Sequence, residues 1–277
     1  KQNHLKMRIT LNKILNYSID GFKDFKESLL NKDAWYYLGI HDVKLRYRRS
    51  IIGPWWVTIS TLILVIALGF LWSKLFNTEI REYMPFFTIG YIFWTFFLNQ
   101  TTDSLIGFTQ FSEIIKQINL PYPVFLNRIL LRNIVALLHN FVVMFLVIYF
   151  VGDGLNSNSI WFFPGFIVIL FLLIPYSVIL AFLATRFRDL SPAIMSVMQI
   201  LFFFTPIIWQ PNILPERYFF ALDFNPIFHA LEIVRSPLLG QVPPLHSYII
   251  VLTISLILWL VSVFILGRFK KRLVYWI

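Results

Sequence analysis

Lys44, Arg46, Arg48 and Arg49 put four cations into six residues, and Trp55-Trp56 follow shortly after. Guanidinium forks grip phosphate oxygens in pairs, and an ammonium binds them as a point charge. The spacing therefore suits an anionic headgroup or a pyrophosphate at a membrane surface. A basic anchor that only sets orientation is the alternative. Arg186 and Arg188 stand in the short stretch Thr185-Arg-Phe-Arg-Asp-Leu-Ser191, where they either pair with Asp189 or line an entrance. Within apolar segments the ionisable residues are Asp103 and His139. Such groups are functional hypotheses by default, but both stand near a segment end, where water or a neighbouring helix satisfies them. Catalytic spacing is absent: there is no HExxH, no GxSxG and no pair of carboxylates inside an apolar segment. No GxxxxGK[ST] occurs, so uphill work must draw on a partner or an ion gradient, and the sparse charge argues against the gradient. With no cysteine, a disulfide framework and a Cys-ligated metal are both excluded, and no metal site is expected.

The elements that carry these residues follow from composition. The 277 residues are 58% hydrophobic and 14% charged, with a mean hydropathy of +0.70. Soluble domains run near 45–50% apolar and about 25% charged, so most of this chain belongs in lipid. Disorder is excluded on the same grounds. A helix needs about 20 apolar residues to cross the hydrocarbon core. Six stretches free of Asp, Glu, Lys and Arg are long enough, and their polar ends trim them to spans near 55–73, 85–106, 132–151, 160–184, 192–209 and 247–267. No signal peptide is evident. With the N-terminus inside, 20 of the 24 Lys and Arg fall on one side. That bias places both termini in the cytoplasm. It also explains most of the +10 net charge as topology, so nucleic acid is not an expected partner.

Between the spans, residues 1–32 read as a loosely ordered cytoplasmic arm, with a short surface helix as the alternative. Residues 33–53 read as an amphipathic interface helix with Asp33 as N-cap and an apolar stripe of Tyr36, Ile40, Val43 and Tyr47. Gly53-Pro54 ends it and turns the chain into the membrane domain, 54–277. Residues 111–127 read as a cytoplasmic helix broken by Pro121 and Pro123, either a docking element or a plain connector. The region 210–246 is too apolar for a solvated loop and too often cut by proline to span. Two short helices, 217–223 and 226–235, are predicted there; they enter the outer leaflet and return, which needs protein or a wet cavity around the backbone.

With those residues in view, the chain from about residue 33 onward resembles the polysaccharide-export branch of type-2 ABC transporter permeases, which export O-antigen, capsular polysaccharide or teichoic acid. The resemblance rests on Asp42-Val-Lys-Leu-Arg-Tyr-Arg-Arg-Ser-Ile-Ile-Gly-Pro-Trp-Trp56, Asn119-Leu-Pro-Tyr-Pro-Val-Phe, Arg132-Asn133 with His139-Asn140, Arg186-Phe-Arg-Asp-Leu190, Thr205-Pro-Ile-Ile-Trp209, and Asn225-Pro-Ile-Phe-His-Ala-Leu-Glu-Ile-Val-Arg235. It implies an all-α integral membrane protein of six transmembrane helices in the bacterial inner membrane, with an interface helix, a coupling helix and two re-entrant outer gate helices. It implies a homodimer bound to two copies of an ATPase that holds ATP and Mg, with no cofactor and no catalysis in this chain. The substrate it implies is a lipid-linked glycan. Lys44, Arg46, Arg48, Arg49, Trp55, Trp56, Arg186 and Arg188 would receive the anionic end of that cargo. Ser112, Glu113, Lys116, Asn119, Leu120, Pro121 and Tyr122 would meet the ATPase, and Trp209, Tyr218, Phe219, Asn225, Pro226 and Arg235 would form the outer gate. A permease for lipids or drugs, a membrane-bound glycan- or lipid-modifying enzyme and a non-catalytic scaffold are the rival readings.

Overall fold

Apolar runs bounded by proline, glycine and charge become helices, and the described residues contain no strand. The structure, a computed structural model, describes residues 2–48, 50–53 and 55–277, with the side chains of residues 2–12 and 216 excepted. Its helices are α1 (Gln2–Leu30), α2 (Lys32–Tyr47), α3 (Trp55–Leu75), α4 (Ile80–Leu105), α5 (Ser112–Gln117), α6 (Pro123–Phe150), α7 (Phe162–Arg186), α8 (Leu190–Phe204), α9 (Phe220–Asp223), α10 (Pro226–Leu238) and α11 (Leu245–Leu273). Four segments are long and apolar enough to cross a membrane: Trp55–Leu75, Pro123–Phe150, Ser157–Arg186 and Leu245–Leu273.

The expected second and fifth spans differ from these four for separate reasons. Helix α4 is long, but Tyr, Trp and Thr lower its hydropathy. It is also the central helix, packed on α3, α6, α7, α8 and α10 and buried almost continuously from Tyr83 to Phe97. Its side chains meet protein more than lipid, so they need not be uniformly aliphatic. Helix α8 has 15 residues, about 22 Å, where the hydrocarbon core is about 30 Å. It stops at Phe204 and not at 209 because Pro206 has no N–H to continue the ladder and holds Thr205 extended, at ψ 136°. Helix α6 starts at Pro123, ahead of the expected 132, with proline in the first turn where its missing N–H costs nothing. Arg128 and Arg132 thereby stand on a helix and not in a loop.

The N-terminal arm is a correction. Residues 2–30 form one helix, laid along α11. Its grip is a close approach of backbones: a methyl group at Gly21 would overlap the Val263 carbonyl, and one at Gly267 would overlap the Tyr17 carbonyl. Small residues that admit such contact are the usual adhesive between apolar helices. Phe25 packs on Trp259 with ring centroids 4.7 Å apart, and Lys270 Nζ lies 3.0 Å from Asp24 Oδ1. Burial pushes the Asp24 carboxyl above its ordinary range, against the pull of Lys270. Asn127 Nδ2 donates to Ser28 Oγ at 3.0 Å, which ties α1 to α6. Gly267→Leu is therefore expected to cost about 1–3 kcal/mol through overpacking and to release α1. Limited proteolysis reads this as faster cleavage within 13–30; unchanged protection would contradict it.

Candidate functional site

At the end of the bundle that carries the C-terminus of α11, α2 lies across the start of α6. The contact face is offset from the predicted stripe. Gly39 is its buried residue, with a Cβ there placed 3.1 Å from the Arg128 carbonyl oxygen, while Tyr36 is exposed. Asp42 accepts both bonds of a guanidinium fork: Arg128 Nε donates to Oδ2 at 2.5 Å, and Nη2 donates to Oδ1. The Arg128 Cζ sits 4.2 Å from the centroid of Phe111, just ahead of α5. A single arginine thus ties α2, α6 and the α5 segment. One turn on, Arg132 Nη2 pairs with Asp103 Oδ2 at 2.8 Å, which supplies the partner that Asp103 needs on α4.

Lys44, Arg46 and Arg48 are exposed along α2, and Trp55 and Trp56 are half-exposed at the start of α3. Arg49 and Pro54 lie outside the described residues. Arg46 and Tyr47 border a small cleft with Arg132 and His139. His139 Nδ1 donates to the Val135 carbonyl at 2.7 Å, and its ring meets Trp55 edge-on at 5.7 Å. Arg186 instead stands over Trp276 of the C-terminal tail, 5.4 Å from the ring centroid, and Arg188 is exposed beside it. Among the described residues of one chain, no ion pair or hydrogen bond joins these two arginines to the α2 cluster.

The expected helix over 111–127 is much shorter. A turn at Thr109–Phe111 leads into α5, residues Ile118–Tyr122 are not helical, and 123–127 belong to α6. Ile118 is already extended, at ψ 126°, and the prolines at 121 and 123 prevent the helix from resuming before α6. Phe111 and Ile115 are buried, while Glu113, Lys116 and Asn119 face out and Ser112 is half-buried. Phe111 rests on Phe125 at 5.7 Å, and Tyr122 meets Phe108 edge-on at 5.8 Å. Leu120, Pro121 and Tyr122 share a cavity of about 270 Å³ with Asp24, Glu27 and Lys270. The result is a short charged knob hooked inward by aromatic rings.

The other end is closed by a buried ion pair. Arg235 is 1% exposed; its Nε donates to Glu232 Oε1 at 3.1 Å, Nη2 also bonds Glu232, and Ser236 Oγ donates to Glu232 Oε2 at 2.8 Å. Arg235 Nη1 donates to the Pro206 carbonyl at 2.5 Å, and the guanidinium stands 4.1 Å over Phe86. Tyr83 Oη donates to the Ile208 carbonyl at 2.5 Å, and Trp209 Nε1 donates to the Phe203 carbonyl at 2.9 Å. Carbonyls left free where α8 breaks are therefore collected by side chains from α4, α10 and the loop itself. Asn225 caps α10 by accepting from Ile227 N and Phe228 N at 3.0 and 3.2 Å, and its Nδ2 donates to Thr205 Oγ1 at 2.9 Å. Pro226 occupies the first turn. Of the two predicted helices, 217–223 shortens to Phe220–Asp223 and 226–235 extends to Leu238. Tyr218 and Phe219 are exposed, with Arg217 stacked on Tyr218 at 4.8 Å. Beside the ion pair, Arg81, Glu82, Phe86, Gln210 and Asn212 line a cavity of about 470 Å³.

Sequence reasoning missed Asp42, Arg128, His229 and Glu232 as structural groups. His229 is fully buried; Nε2 donates to the Asp223 carbonyl and Nδ1 accepts from Ser247, each at 2.9 Å. The Glu232–Arg235 spacing of three on a helix was a usable signal. The 86-residue separation of Asp42 and Arg128 was not. It also missed a polar knot within the bundle: Gln100 Nε2 donates to Ser177 Oγ at 2.7 Å and Asn133 Nδ2 donates to Gln100 Oε1 at 2.9 Å, joining α4, α7 and α6. No group of three His, Asp or Glu among the described residues is arranged to hold a metal.

A family model described as ABC-2 type transporter matches residues 34–239. Two proteins called O-antigen export system permease protein RfbA from Klebsiella pneumoniae are 24% and 26% identical, over 83% of this chain and 90% of each relative. A protein of the same name from Myxococcus xanthus is 20% identical over 64% of this chain and 68% of its own length.

Proposed function

The chain belongs to the ABC-2 type transporter family, and on that premise we propose that it is the permease of an exporter that carries a lipid-linked polysaccharide, O-antigen-like or capsular, out of the cytoplasm. As a permease it is a membrane-embedded transport component and not an enzyme, and its family implies an ATPase partner. Helices α3, α4, α6, α7, α8 and α11 are the six spans of this reading, in an inner membrane with both termini cytoplasmic. Two permeases and two ATPases form the assembly, and ATP with Mg sits on the ATPase. The observation that carries the reading is the α5 knob: exposed charge, aromatic hooks and a clasp through Arg128 to the basic interface helix α2. A nucleotide-driven partner pushing on α5 moves α2, and with it Lys44, Arg46 and Arg48 beside Trp55 and Trp56. Those cations suit the pyrophosphate of a carrier lipid. At the other end, the α10 ion pair and the loop after α8 supply the outer gate, with Trp209, Tyr218 and Phe219 as aromatic surface along which a glycan slides.

The relatives' name, O-antigen export system permease protein, supports the glycan as cargo. A lipid or drug permease would leave the four-cation cluster without a role. Reconstitution with the ATPase and a lipid-linked glycan separates the two: ATP-dependent movement of glycan is expected, and movement of a small hydrophobic drug with none of glycan would overturn the proposal. The docking surface has its own test. Glu113→Lys combined with Leu120→Ala and Pro121→Ala should reduce ATPase co-purification at least tenfold, the ratio for about 1.4 kcal/mol. Recovery at the wild-type level would refute α5 as the contact.

A further inference from the structure

At the end of the bundle opposite the C-terminus of α11, the cavity of about 470 Å³ has a wall that the chain leaves half-bonded. It lies between the start of α4, the end of α6, α10 and the loop after α8. Its volume is within the roughly 300–1,000 Å³ of small-ligand sites. Gln210 lines it at 6% exposure and donates from Nε2 to Glu82 Oε1 at 3.3 Å. Turning the amide over would set two oxygens face to face, so Oε1 is the end left over. Among the described residues no donor meets that buried oxygen. A buried acceptor without a donor is costly and calls for a partner.

We propose that this cavity binds a neutral sugar ring, with Gln210 and Glu82 accepting hydrogen bonds from its hydroxyls. Charge chooses the ligand class. Arg81 pairs with Asp153 at 2.6 Å and Arg235 pairs with Glu232, so both cations of the wall are spent. Glu82 has no cationic partner among the described residues. Two guanidiniums against three carboxylates leave the wall negative, which repels a phosphate or a carboxylate. Among the described residues no group of His, Asp and Glu is arranged to hold a metal. What fits is a neutral ligand rich in O–H donors. Carboxylate and amide oxygens accept from such groups, and the N–H groups of Arg81 and Gln241 donate back to ring and hydroxyl oxygens. Pro85, Ile148 and Leu239 supply an apolar wall for the C–H face of a pyranose. Trp209, Tyr218 and Phe219 do not line this cavity, so it is separate from the aromatic surface of the gate. A ring bound there bridges the loop after α8 to α4. On the export reading the ligand is a sugar unit of the emerging glycan; that source rests on the proposed function, whereas the chemistry of the wall does not.

The chain has no cysteine, so one placed at the rim reports occupancy without background. The full chain, without ATPase or ATP, carries Asn212→Cys on the cavity wall or Ser157→Cys outside it as a control; both positions are exposed. Alkylation by a water-soluble maleimide is followed with glucose, galactose, mannose, rhamnose and N-acetylglucosamine together at tens of millimolar. Inorganic phosphate and ethanolamine are tested separately. The sugar mixture should slow reaction at 212 at least about threefold, the occupancy factor at twice the dissociation constant, and leave 157 unchanged. Gln210→Met should abolish that protection. Gln241→Trp, which fills the exposed mouth and touches no buried group, should abolish it too and serves if the first change unfolds the loop. An unaltered rate with sugars, equal slowing at 212 and 157, protection by phosphate or ethanolamine alone, or protection that survives both variants would overturn the site. Failure of the export reading looks different: sugars protect position 212, but the permease reconstituted with its ATPase moves no glycan.

Discussion

Arg235→Met is expected to destabilise the protein by about 3–5 kcal/mol, the usual cost of removing one partner of a buried ion pair. The size follows from what remains behind. Glu232 loses both bonds to Arg235, the cation that holds it ionised against burial, and retains only Ser236. The Pro206 carbonyl loses its donor, and Phe86 loses the cation above its ring. The loop after α8 is then held by Tyr83, Asn225 and the bonds that Trp209 and Gln210 make. Thermal unfolding of the purified permease should fall well below wild type. The double variant Glu232→Gln/Arg235→Met should recover much of the loss, because it leaves no unpaired charge inside. An unchanged midpoint in the single variant would show that the pair is solvated and not buried.

The second large effect is expected at Asp42. Asp42→Ala leaves Arg128 charged, with its side chain 8% exposed and its carboxylate partner gone. Arg128 Nη1 already has no partner, so the guanidinium would keep only the Phe111 face. The penalty is again about 3–5 kcal/mol, but it falls on the seam between α2 and α6 and not on the bundle. Under the export proposal, glycan movement should drop more than tenfold while the ATPase still co-purifies, because α5 stays exposed and intact. The paired variant Asp42→Leu/Arg128→Met separates linkage from stability: its unfolding midpoint should return toward wild type, but export should not. Full export in either variant would remove the clasp from the mechanism.

Of the two pairs behind these effects, Glu232–Arg235 is signalled by its spacing of three and Asp42–Arg128 is not, and the reason is physical. Apolar runs are local, so the long membrane-crossing segments and the all-helical class could be read from gaps between charges. Helix ends set by proline were also local: Pro206 marked the end of α8, and Pro123 marked the start of α6. The hydrophobic run around each proline masks that signal. What could not be read was partnership across the chain. Asp42 meets Arg128, Asp103 meets Arg132, and Gly21 meets a backbone more than 240 residues away only because the bundle closes. Helix α1 shows the limit most clearly. Its polar composition suggested a loose arm, and nothing in residues 1–32 alone reveals the groove that Gly267 opens for it.

The knot at Gln100 sets a mechanical rule for the bundle. In hydrocarbon no water stands ready to replace a broken hydrogen bond, so Gln100, Ser177 and Asn133 act as pegs through three adjacent beams. Sliding α4 by a single residue, about 1.5 Å, strains both bonds at once, and sliding α6 or α7 strains one of them. Tilting the three beams as one frame strains neither. Helix α8 is held more weakly: its hydrogen bond to α4 runs from Thr102 Oγ1 to the Met195 sulfur at 3.4 Å, and Met198 is its buried residue. Motion during a work cycle is therefore expected to be a swing of α8 against a stiff frame of α4, α6 and α7, with the latch at Arg235 and Pro206 as its pivot.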